Sequence, residues 1–334
     1  MKTTLTDIAE KAELSISTVS RILRGDSKSS TENVEKTIRI AQELNYPINT
    51  RLLNQQYDIK SSLQIALISS FFPQEFYSSF YYGMNNAAKA ENITMPLYIS
   101  NPGDDNLFDL INKLWNNAID AAMLFIPTLQ EDDYKEILEK VPNNFPIISL
   151  APAFNPIIDT ITFDSYRGGH LVANHFYEIG YRKLGIITGP YNKNEALFRK
   201  NGFTDFINQK SDAELVWQIE GDYSFEFGKK AYKTYAGLDN KPQAIFASND
   251  YMGLGFLEQA TKYGLKIPQD VAVAGFDDLP ACEYVHPAIT SVHTNFDIMG
   301  EKTFKLLNDK INNPQNQSGI QSVVPVSLSI REST

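Results

Sequence analysis

From residue 64 to the C-terminus, short apolar runs alternate with segments of helical length. Apolar runs of this kind predict strands buried on both faces, and helical crossovers between them are typical of parallel sheets. The runs form two sets, at residues 65–68, 95–99, 121–126 and 147–150, and at residues 184–188, 215–219, 244–247 and 271–276. They predict an α/β protein with two doubly wound lobes and a ligand crevice at the carboxyl ends of the strands.

The order of the elements also predicts where the chain passes between the two lobes. We place lobe 1 at about residues 64–160 and 294–320, and lobe 2 at about residues 161–293 and 321–334. A helix at 297–312 and a last strand at 323–330 are expected to close the chain.

The first 46 residues follow a helical pattern instead. Apolar residues recur at helical spacing at Leu5, Ile8, Ala9 and Ala12 in a first helix and at Val19, Ile22 and Leu23 in a second. Ser30 can cap a third helix, which must end before Pro47. Three short helices with this spacing predict a helix-turn-helix DNA-binding headpiece at residues 1–46, followed by a hinge or linker at residues 47–63.

Charge is distributed unevenly along the chain. The whole sequence has a formal net charge of −10, but residues 1–60 carry nine Lys and Arg against eight Asp and Glu. That segment therefore has a charge of +1, and the remainder has −11. DNA contact is expected only at the N-terminal end, because an acidic surface is repelled by phosphates.

Several classes of function lack a signal in this sequence. Cys282 is the single cysteine, so an internal disulfide is excluded, and the four histidines show no metal-ligand spacing. No nucleophile and base are paired, so we expect neither an enzyme nor a cofactor. No apolar run of membrane-spanning or export-signal type occurs, which predicts a cytoplasmic protein without a membrane partner.

Ordered motifs along the chain resemble one known family. Residues 6–9 read Thr-Asp-Ile-Ala and residues 17–23 read Ser-Thr-Val-Ser-Arg-Ile-Leu, while residues 248–250 and 275–278 read Ser-Asn-Asp and Gly-Phe-Asp-Asp. With these motifs the chain is similar to the LacI/GalR family of bacterial sugar-responsive transcription repressors. Its C-terminal motifs and short hinge look most like the galactose-operon and evolved-β-galactosidase repressor branch. The resemblance implies a core of the periplasmic-binding-protein type.

The resemblance also implies which headpiece residues contact DNA. In the family the second helix lies in the major groove, which assigns specificity to Ile16 and Ser17 and a guanine contact to Arg21. A solvated surface arginine is the alternative for Arg21, and a surface loop is the alternative for Lys28 and Ser30. The full set of expected DNA-binding residues is Thr4, Ser15, Ile16, Ser17, Thr18, Ser20, Arg21, Arg24, Lys28, Ser30, Asn49, Leu52 and Leu53.

The hinge departs from the family pattern. The family usually has an Ala-Arg pair before a leucine that enters the minor groove and kinks the DNA. Here residues 46–53 read Tyr-Pro-Ile-Asn-Thr-Arg-Leu-Leu, so the pair is missing and the spacing is shorter. Leu52 or Leu53 can still act as the wedge, and a plain linker is the alternative.

Eight residues of the core are expected to bind the effector. They are Phe71, Phe76, Asp164, Arg199, Tyr223, Asn249, Asp277 and His293. The resemblance implies that Arg199, Asn249 and Asp277 bind sugar hydroxyls and that Tyr223 offers an aromatic face. Alternatives stay open: Asn249 can cap a helix, Asp277 can serve a turn, and Tyr223 can simply pack. Core or dimer packing is likewise open for the phenylalanines.

Together these features predict a repressor of sugar-utilisation genes, with a galactoside among the candidate sugars. A homodimer would hold a palindromic operator in double-stranded DNA and release it when a small sugar binds; a tetramer is left open. One alternative keeps DNA binding but uses a corepressor, which would be a purine, a sugar phosphate or a phosphoprotein. A ligand-binding protein without DNA activity is the other.

Overall fold

The structure is a computed structural model that describes residues 3–25, 29–44, 46, 62–70, 73–100, 107–117, 119–142, 145–313 and 319–334. Within these ranges, none of the helices combines the length and the apolar character needed to cross a membrane.

The headpiece consists of three helices, α1 (Leu5–Ala12), α2 (Ile16–Arg24) and α3 (Thr31–Glu43). Thr4 starts α1 with a capping box, in which its side chain accepts from the Asp7 N–H while the Asp7 carboxylate accepts from the Thr4 N–H. Gly25 ends α2 at φ 79°, a left-handed conformation that glycine adopts without steric cost. Buried apolar residues from all three helices, including Ile8 and Ile22, form the small core.

Lobe 1 is built on a six-stranded sheet in the order β11-β5-β4-β3-β1-β2. Its paired strands run parallel, and helices connect most of the strands that follow one another in the chain. The elements are β1 (Ile65–Ser69), α4 (Glu75–Ala90), β2 (Leu97–Ile99), α5 (Leu107–Asn116), β3 (Ala121–Phe125), α6 (Glu131–Lys140), β4 (Ile147–Ser149), β5 (Thr160–Phe163), α12 (Phe296–Asn312) and β11 (Gln321–Val324).

Lobe 2 contains the second sheet, in the order β12-β10-β9-β8-β6-β7. Strand β12 pairs antiparallel with β10, and the other pairs are parallel. The elements are α7 (Ser165–Glu178), β6 (Lys183–Thr188), α8 (Asn194–Asn208), β7 (Glu214–Glu220), α9 (Phe225–Ala236), β8 (Ala244–Ala247), α10 (Asp250–Lys262), β9 (Ala272–Asp277), α11 (Ala281–Tyr284), β10 (Thr290–His293) and β12 (Ser327–Ser329).

Two of the predicted boundaries between the lobes differ from those in the structure. Residues 161–163 belong to lobe 1, because they form β5, a strand that the apolar pattern did not predict. The last strand expected at 323–330 is in fact two strands in different sheets, so residues 321–324 also belong to lobe 1. Pro325 lies between them and lacks the N–H that a continuous ladder would need.

Helices α7 and α8 approach each other closely at two glycines. A Cβ built on Gly169 would lie 2.0 Å from the carbonyl oxygen of Arg199, and one built on Gly202 would lie 1.9 Å from that of Tyr166. Backbone atoms cannot move away as a flexible side chain can, so these positions require glycine. The close contact matters for function because Arg199 projects from α8.

We therefore expect Gly202→Ala to destabilise lobe 2 by about 1–3 kcal/mol, which lowers its melting temperature by roughly 3–10 °C. Gly237→Ala is the matched control, since its Cβ would meet Thr234 at an ordinary 3.6 Å. Differential scanning calorimetry of both variants measures the effect. Equal melting temperatures for the two variants would contradict the packing described for α7 and α8.

Candidate functional site

A cavity of about 280 Å³ lies between the two lobes, where the carboxyl ends of their strands face each other. Lobe 1 contributes mainly apolar side chains, and lobe 2 contributes mainly charged and polar ones. The aromatic residues of lobe 1 that line it are Phe76, Tyr77, Phe80, Phe125 and Phe163; lobe 2 places Lys193, Glu195, Arg199, Tyr223, Asn249 and Asp277 there. This is the position at which doubly wound proteins bind ligands.

A buried ion pair forms the centre of the polar wall. Arg199 Nη2 lies 3.2 Å from Asp277 Oδ1, and the two side chains are only 9% and 4% exposed. Arg199 Nη1 also donates to the carbonyl oxygen of Ser248, and the guanidinium carbon lies 3.6 Å from the centroid of the Phe276 ring. A buried charge needs this combination of partner, hydrogen bond and stacking to offset its desolvation.

Asp277 is held in an unusual backbone conformation. It is the last residue of β9 and has φ 113°, which costs a residue with a side chain about 1–3 kcal/mol. The Thr294 hydroxyl donates to the Asp277 carbonyl oxygen at 2.9 Å and so helps to hold this turn. Asp277 therefore occupies the turn and also lines the cavity, and its role in ligand binding stays a prediction.

A second carboxylate, Asp250, lies behind this wall. Its oxygens accept from the Leu279 N–H at 2.8 Å and from the Ser291 hydroxyl. Burial and the neighbouring Asp277 charge raise the pKa of Asp250 well above its usual range. Burial likewise raises the pKa of Asp277, although Arg199 opposes the shift. Asp250 does not line the cavity, so it supports the β9–α11 loop rather than the ligand.

Three buried polar atoms at the cavity have no hydrogen-bond partner among the described residues. They are Glu195 Oε2, Arg199 Nε and the Tyr223 hydroxyl. Burial raises the pKa of Glu195 and lowers the pKa of Lys193, because both charges are removed from water. Buried donors and acceptors are almost always paired in folded proteins, so three together at one cavity indicate a ligand site.

Lys193 and Glu195 were not among the residues expected from the sequence. They flank the start of α8, just after the carboxyl end of β6. Asn249, which the family resemblance had indicated, follows β8 in the same way, so a position between a strand end and the next helix is the signal that could have identified them. Lys193 Nζ lies 5.1 Å from the Tyr223 ring centroid, so the start of α8 lies close to the segment that follows β7.

Asn249 caps a helix and also lies at the cavity. Its Oδ1 accepts from the Met252 N–H at 3.0 Å and caps α10, while its Nδ2 donates to the Tyr223 carbonyl oxygen at 3.1 Å. The side chain also lines the cavity. Nδ2 has a second hydrogen, so capping and ligand binding are compatible.

Two residues expected to bind the effector do not line this cavity. The Asp164 carboxylate accepts from the Arg167 N–H at 2.9 Å and caps α7. His293 Nδ1 lies 2.9 Å from Asp278 Oδ2, in a polar cluster with Arg331. Local hydrogen bonds therefore hold both side chains away from the site. Phe71 lies outside the described residues.

Phe76 lines the cavity and also packs in an aromatic cluster. Its ring centroid lies 6.1 Å from that of Phe80 and 5.8 Å from that of Phe125. Both expectations for this residue, packing and access to ligand, are compatible with this placement.

The outer face of α2 presents the residues expected at DNA. Ser15 caps the helix by accepting from the Thr18 N–H at 3.1 Å, and Ile16 is 49% exposed. Arg21 is exposed, whereas Arg24 Nε is directed back to the Ser20 carbonyl oxygen at 3.2 Å. Ser17 is exposed, Ser20 is partly exposed, and Thr4 and Ser30 act as helix caps. Lys28, Asn49, Leu52 and Leu53 lie outside the described residues.

Comparison with known proteins agrees with this two-part architecture. Residues 4–49 match the bacterial regulatory proteins of the lacI family, and residues 173–334 match a periplasmic binding protein-like domain. The HTH-type transcriptional repressor PurR of Proteus mirabilis (strain HI4320) is 26% identical over 326 residues, covering 96% of this chain and 94% of that protein. The Ribose operon repressor of Escherichia coli (strain K12) is 25% identical over 327 residues, covering 97% of both.

The fold is also that of a solved repressor. The Lac repressor dimer bound to operator and the anti-inducer ONPF has a TM-score of 0.78 and 24% identity, covering 100% of this chain and 99% of that chain.

A helix-turn-helix headpiece joined to a two-lobed ligand-binding core defines a DNA-binding transcription repressor regulated by a small-molecule effector. Residues 4–49 of the chain carry the DNA-binding domain of the lacI family of bacterial regulatory proteins. The assignment to the galactose-operon branch of that family stays a prediction.

The raised pKa of Asp250 predicts how stability depends on pH. Because Asp277 is paired with Arg199, the proton of this coupled carboxylate pair is held by Asp250, and between about pH 4 and pH 8 the folded chain holds more protons on Asp250 than the unfolded chain does. The contribution of Asp250 to the free energy of unfolding therefore falls as pH rises through this window. We expect the melting temperature of Asp250→Asn to fall less between pH 5 and pH 8 than that of the wild type.

The exposed Asp239→Asn is the matched control and should keep the wild-type pH dependence. Thermal unfolding of the three proteins at several pH values provides the comparison. An Asp250→Asn profile parallel to the wild type would show that Asp250 is ionised throughout.

Proposed function

We propose that this repressor controls genes for sugar utilisation and that a small sugar releases it from its operator. The observation that carries the proposal is the set of three unpartnered polar atoms, Glu195 Oε2, Arg199 Nε and the Tyr223 hydroxyl, at one cavity. They offer an acceptor, a donor and a hydroxyl within a buried site. Vicinal sugar hydroxyls, which both donate and accept, match that combination.

The charge of the cavity supports an uncharged ligand over a sugar phosphate. Lys193 and Arg199 face Glu195 and Asp277 across the polar wall, and Asp222 adds a further carboxylate at its edge. A phosphate would bring about two negative charges against a wall with no excess of cations. Neutral hydroxyls avoid that repulsion and still hydrogen-bond to charged groups.

A purine corepressor is the second candidate. The similarity to a protein named PurR over 96% of this chain and the aromatic side chains at the cavity favour it. The purine and sugar proposals predict opposite effects on DNA, since a corepressor strengthens operator binding and an inducer weakens it.

On the DNA side, we propose that α2 enters the major groove and that two headpieces of a homodimer read a palindromic operator. The Lac repressor, whose fold this chain shares, has been solved as a dimer bound to operator, and this supports the same assembly here. Because residues 1–60 have a charge of only +1, one headpiece offers few phosphate contacts. We further propose that the protein works in the cytoplasm, where its DNA lies, and has no catalytic role.

The proposal is tested with the full chain and an operator that the chain itself selects from random palindromic DNA. A thermal-shift screen of sugars, sugar phosphates and purines identifies binders, because a ligand raises stability by RT ln(1 + [L]/Kd). Fluorescence anisotropy then measures operator affinity with each binder. A sugar that weakens operator binding supports the proposal, whereas a purine that strengthens it establishes the second candidate instead.

Glu195→Gln is expected to weaken sugar binding roughly 10- to 100-fold, because the buried carboxylate is replaced by a weaker acceptor. Operator affinity without sugar should stay at the wild-type level. Asp164→Asn is the control, since Asp164 caps α7 and does not line the cavity. Isothermal titration calorimetry measures both variants, and an unchanged Kd for Glu195→Gln would remove Glu195 from the site.

Arg21→Ala is expected to weaken operator binding by about 1–3 kcal/mol and to relax specificity at one base pair. Arg39→Ala removes the same charge from the exposed face of α3 and serves as the control. Anisotropy titrations with the selected operator and single-base variants compare them. If both variants lose affinity equally on every sequence, Arg21 contributes only charge.

A further inference from the structure

Two hydrogen bonds join the lobes directly, beside the cavity. The Glu75 N–H, at the start of α4 in lobe 1, donates to the Tyr251 hydroxyl of lobe 2 at 2.9 Å. In the opposite direction, the Ala281 N–H of lobe 2 donates to Glu75 Oε2 at 3.3 Å. All three residues are half-buried, and none of them lines the cavity. We call Glu75, Tyr251 and Ala281 the latch.

Each of these hydrogen bonds takes the place of a local helix cap. The first N–H groups of a helix have no partner within it and are usually satisfied by the side chain that precedes the helix. Gln74 precedes α4 and makes no side-chain capping bond among the described residues, and Pro280, which precedes α11, has no side chain that could accept one. The start of each helix is therefore satisfied from the other lobe. Separating the lobes would return both N–H groups to water.

The part of the latch in lobe 2 is held in a fixed position. Asp250, which precedes Tyr251, accepts from the Leu279 N–H at 2.8 Å and so ties the start of α10 to the loop before α11. Tyr251 and Ala281 are therefore parts of one supported unit. The same loop begins just after Asp277, which lines the cavity. A ligand at Asp277 thus acts only a few residues away from the latch.

Helix α4 is joined just as firmly to lobe 1. A Cβ built on Gly83 of α4 would lie 2.6 Å from the Cβ of Phe296, and one built on Gly300 of α12 would lie 2.5 Å from the Cβ of Ala87. Helices packed this closely transmit displacements to each other. Gln74 and Phe76, on either side of Glu75, line the cavity. The latch therefore connects two rigid bodies at the edge of the ligand site.

We propose that Glu75 is a positioning residue for regulation, which acts through Tyr251 and Ala281 to stabilise the conformation with the lobes in contact. This inference rests on the proposed function, in which a sugar bound between the lobes releases the operator. A sugar that touches both walls of the cavity binds best when the lobes are in contact. The latch forms in the same conformation, so its free energy adds to that of sugar binding. Only such a difference between conformations shifts their populations.

Other contacts between the lobes do not depend on the latch. Asn194 Nδ2, at the start of α8, donates to the Pro152 carbonyl oxygen of lobe 1 at 3.1 Å. The rings of Phe154 and Phe198, also from different lobes, have centroids 4.4 Å apart. Losing the latch is therefore expected to shift the balance between conformations and to leave each lobe folded.

Two substitutions each remove one hydrogen bond of the latch and leave the cavity lining unchanged. Glu75→Ala removes the acceptor for the Ala281 N–H, and Tyr251→Phe removes the acceptor for the Glu75 N–H. The controls are Glu91→Ala, at the other end of α4, and Tyr263→Phe, just beyond α10, where both side chains are exposed.

Hydrogen–deuterium exchange of single amides, measured by mass spectrometry on the full chain without effector, reads the latch directly. We expect the Ala281 amide to exchange several-fold faster in Glu75→Ala and the Glu75 amide to do so in Tyr251→Phe. Both controls should match the wild type.

The role in regulation is measured with a sugar identified by the thermal-shift screen and with the selected operator. We expect that sugar to bind about two- to tenfold more weakly to Glu75→Ala and to Tyr251→Phe, and operator release to need correspondingly more sugar. Operator affinity without sugar should not fall. Glu75→Gln keeps an oxygen that can accept from the Ala281 N–H, so it should restore most of the sugar affinity. A purely structural role would change the melting temperature and leave the sugar affinity unchanged.

Three results would overturn the inference. Wild-type exchange at Ala281 and Glu75 in both variants would show that the latch does not form in solution. Faster exchange with unchanged sugar affinity would exclude the latch from regulation. Equal weakening of sugar binding by Glu91→Ala would assign the effect to charge.

Failure of the proposed function gives a different pattern. If a purine binds in place of every sugar and the latch variants bind the operator more weakly, the latch stands and the sugar-effector function falls. If none of the screened compounds binds, the exchange measurements still decide whether the latch forms.

Discussion

The buried ion pair between Arg199 and Asp277 is the interaction on which the binding site depends. It joins α8 to the end of β9, and the additional hydrogen bond to Ser248 connects both to the end of β8. Removing either partner would leave an uncompensated charge in the core of lobe 2. The close approach of α7 and α8 at Gly202 sets the position of Arg199, and the left-handed backbone of Asp277 sets the direction of its carboxylate.

Several residues combine a structural role with a position at the cavity. Asn249 caps α10 and faces the ligand site, and Phe76 packs in the aromatic cluster while lining the same space. A side chain already held by a hydrogen bond or by packing loses little further entropy when a ligand binds. The polar and apolar walls are therefore preorganised by the same contacts that stabilise each lobe.

The proposed function makes the headpiece dependent on the core for affinity. Its α2 face offers Ile16, Ser17 and Arg21, but the small positive charge of residues 1–60 provides little attraction to phosphates. In the proposed homodimer, two headpieces together would supply the missing contacts, and a ligand that changes how the two lobes lie would alter their pairing.

Local sequence patterns were enough to predict the class of fold and the helix-turn-helix headpiece, because periodicity and helix caps are local properties. The family resemblance pointed to Arg199, Asn249 and Asp277, and all three line the cavity. The remaining features depend on the tertiary structure. Strands β5 and β11 became visible only through their pairing, Asp164 and His293 were held elsewhere by local hydrogen bonds, and Lys193 and Glu195 joined the site. Apart from the Asp164 cap, which is a local hydrogen bond, these outcomes depend on contacts between residues that are distant in the sequence, and spacing along the chain does not predict such contacts.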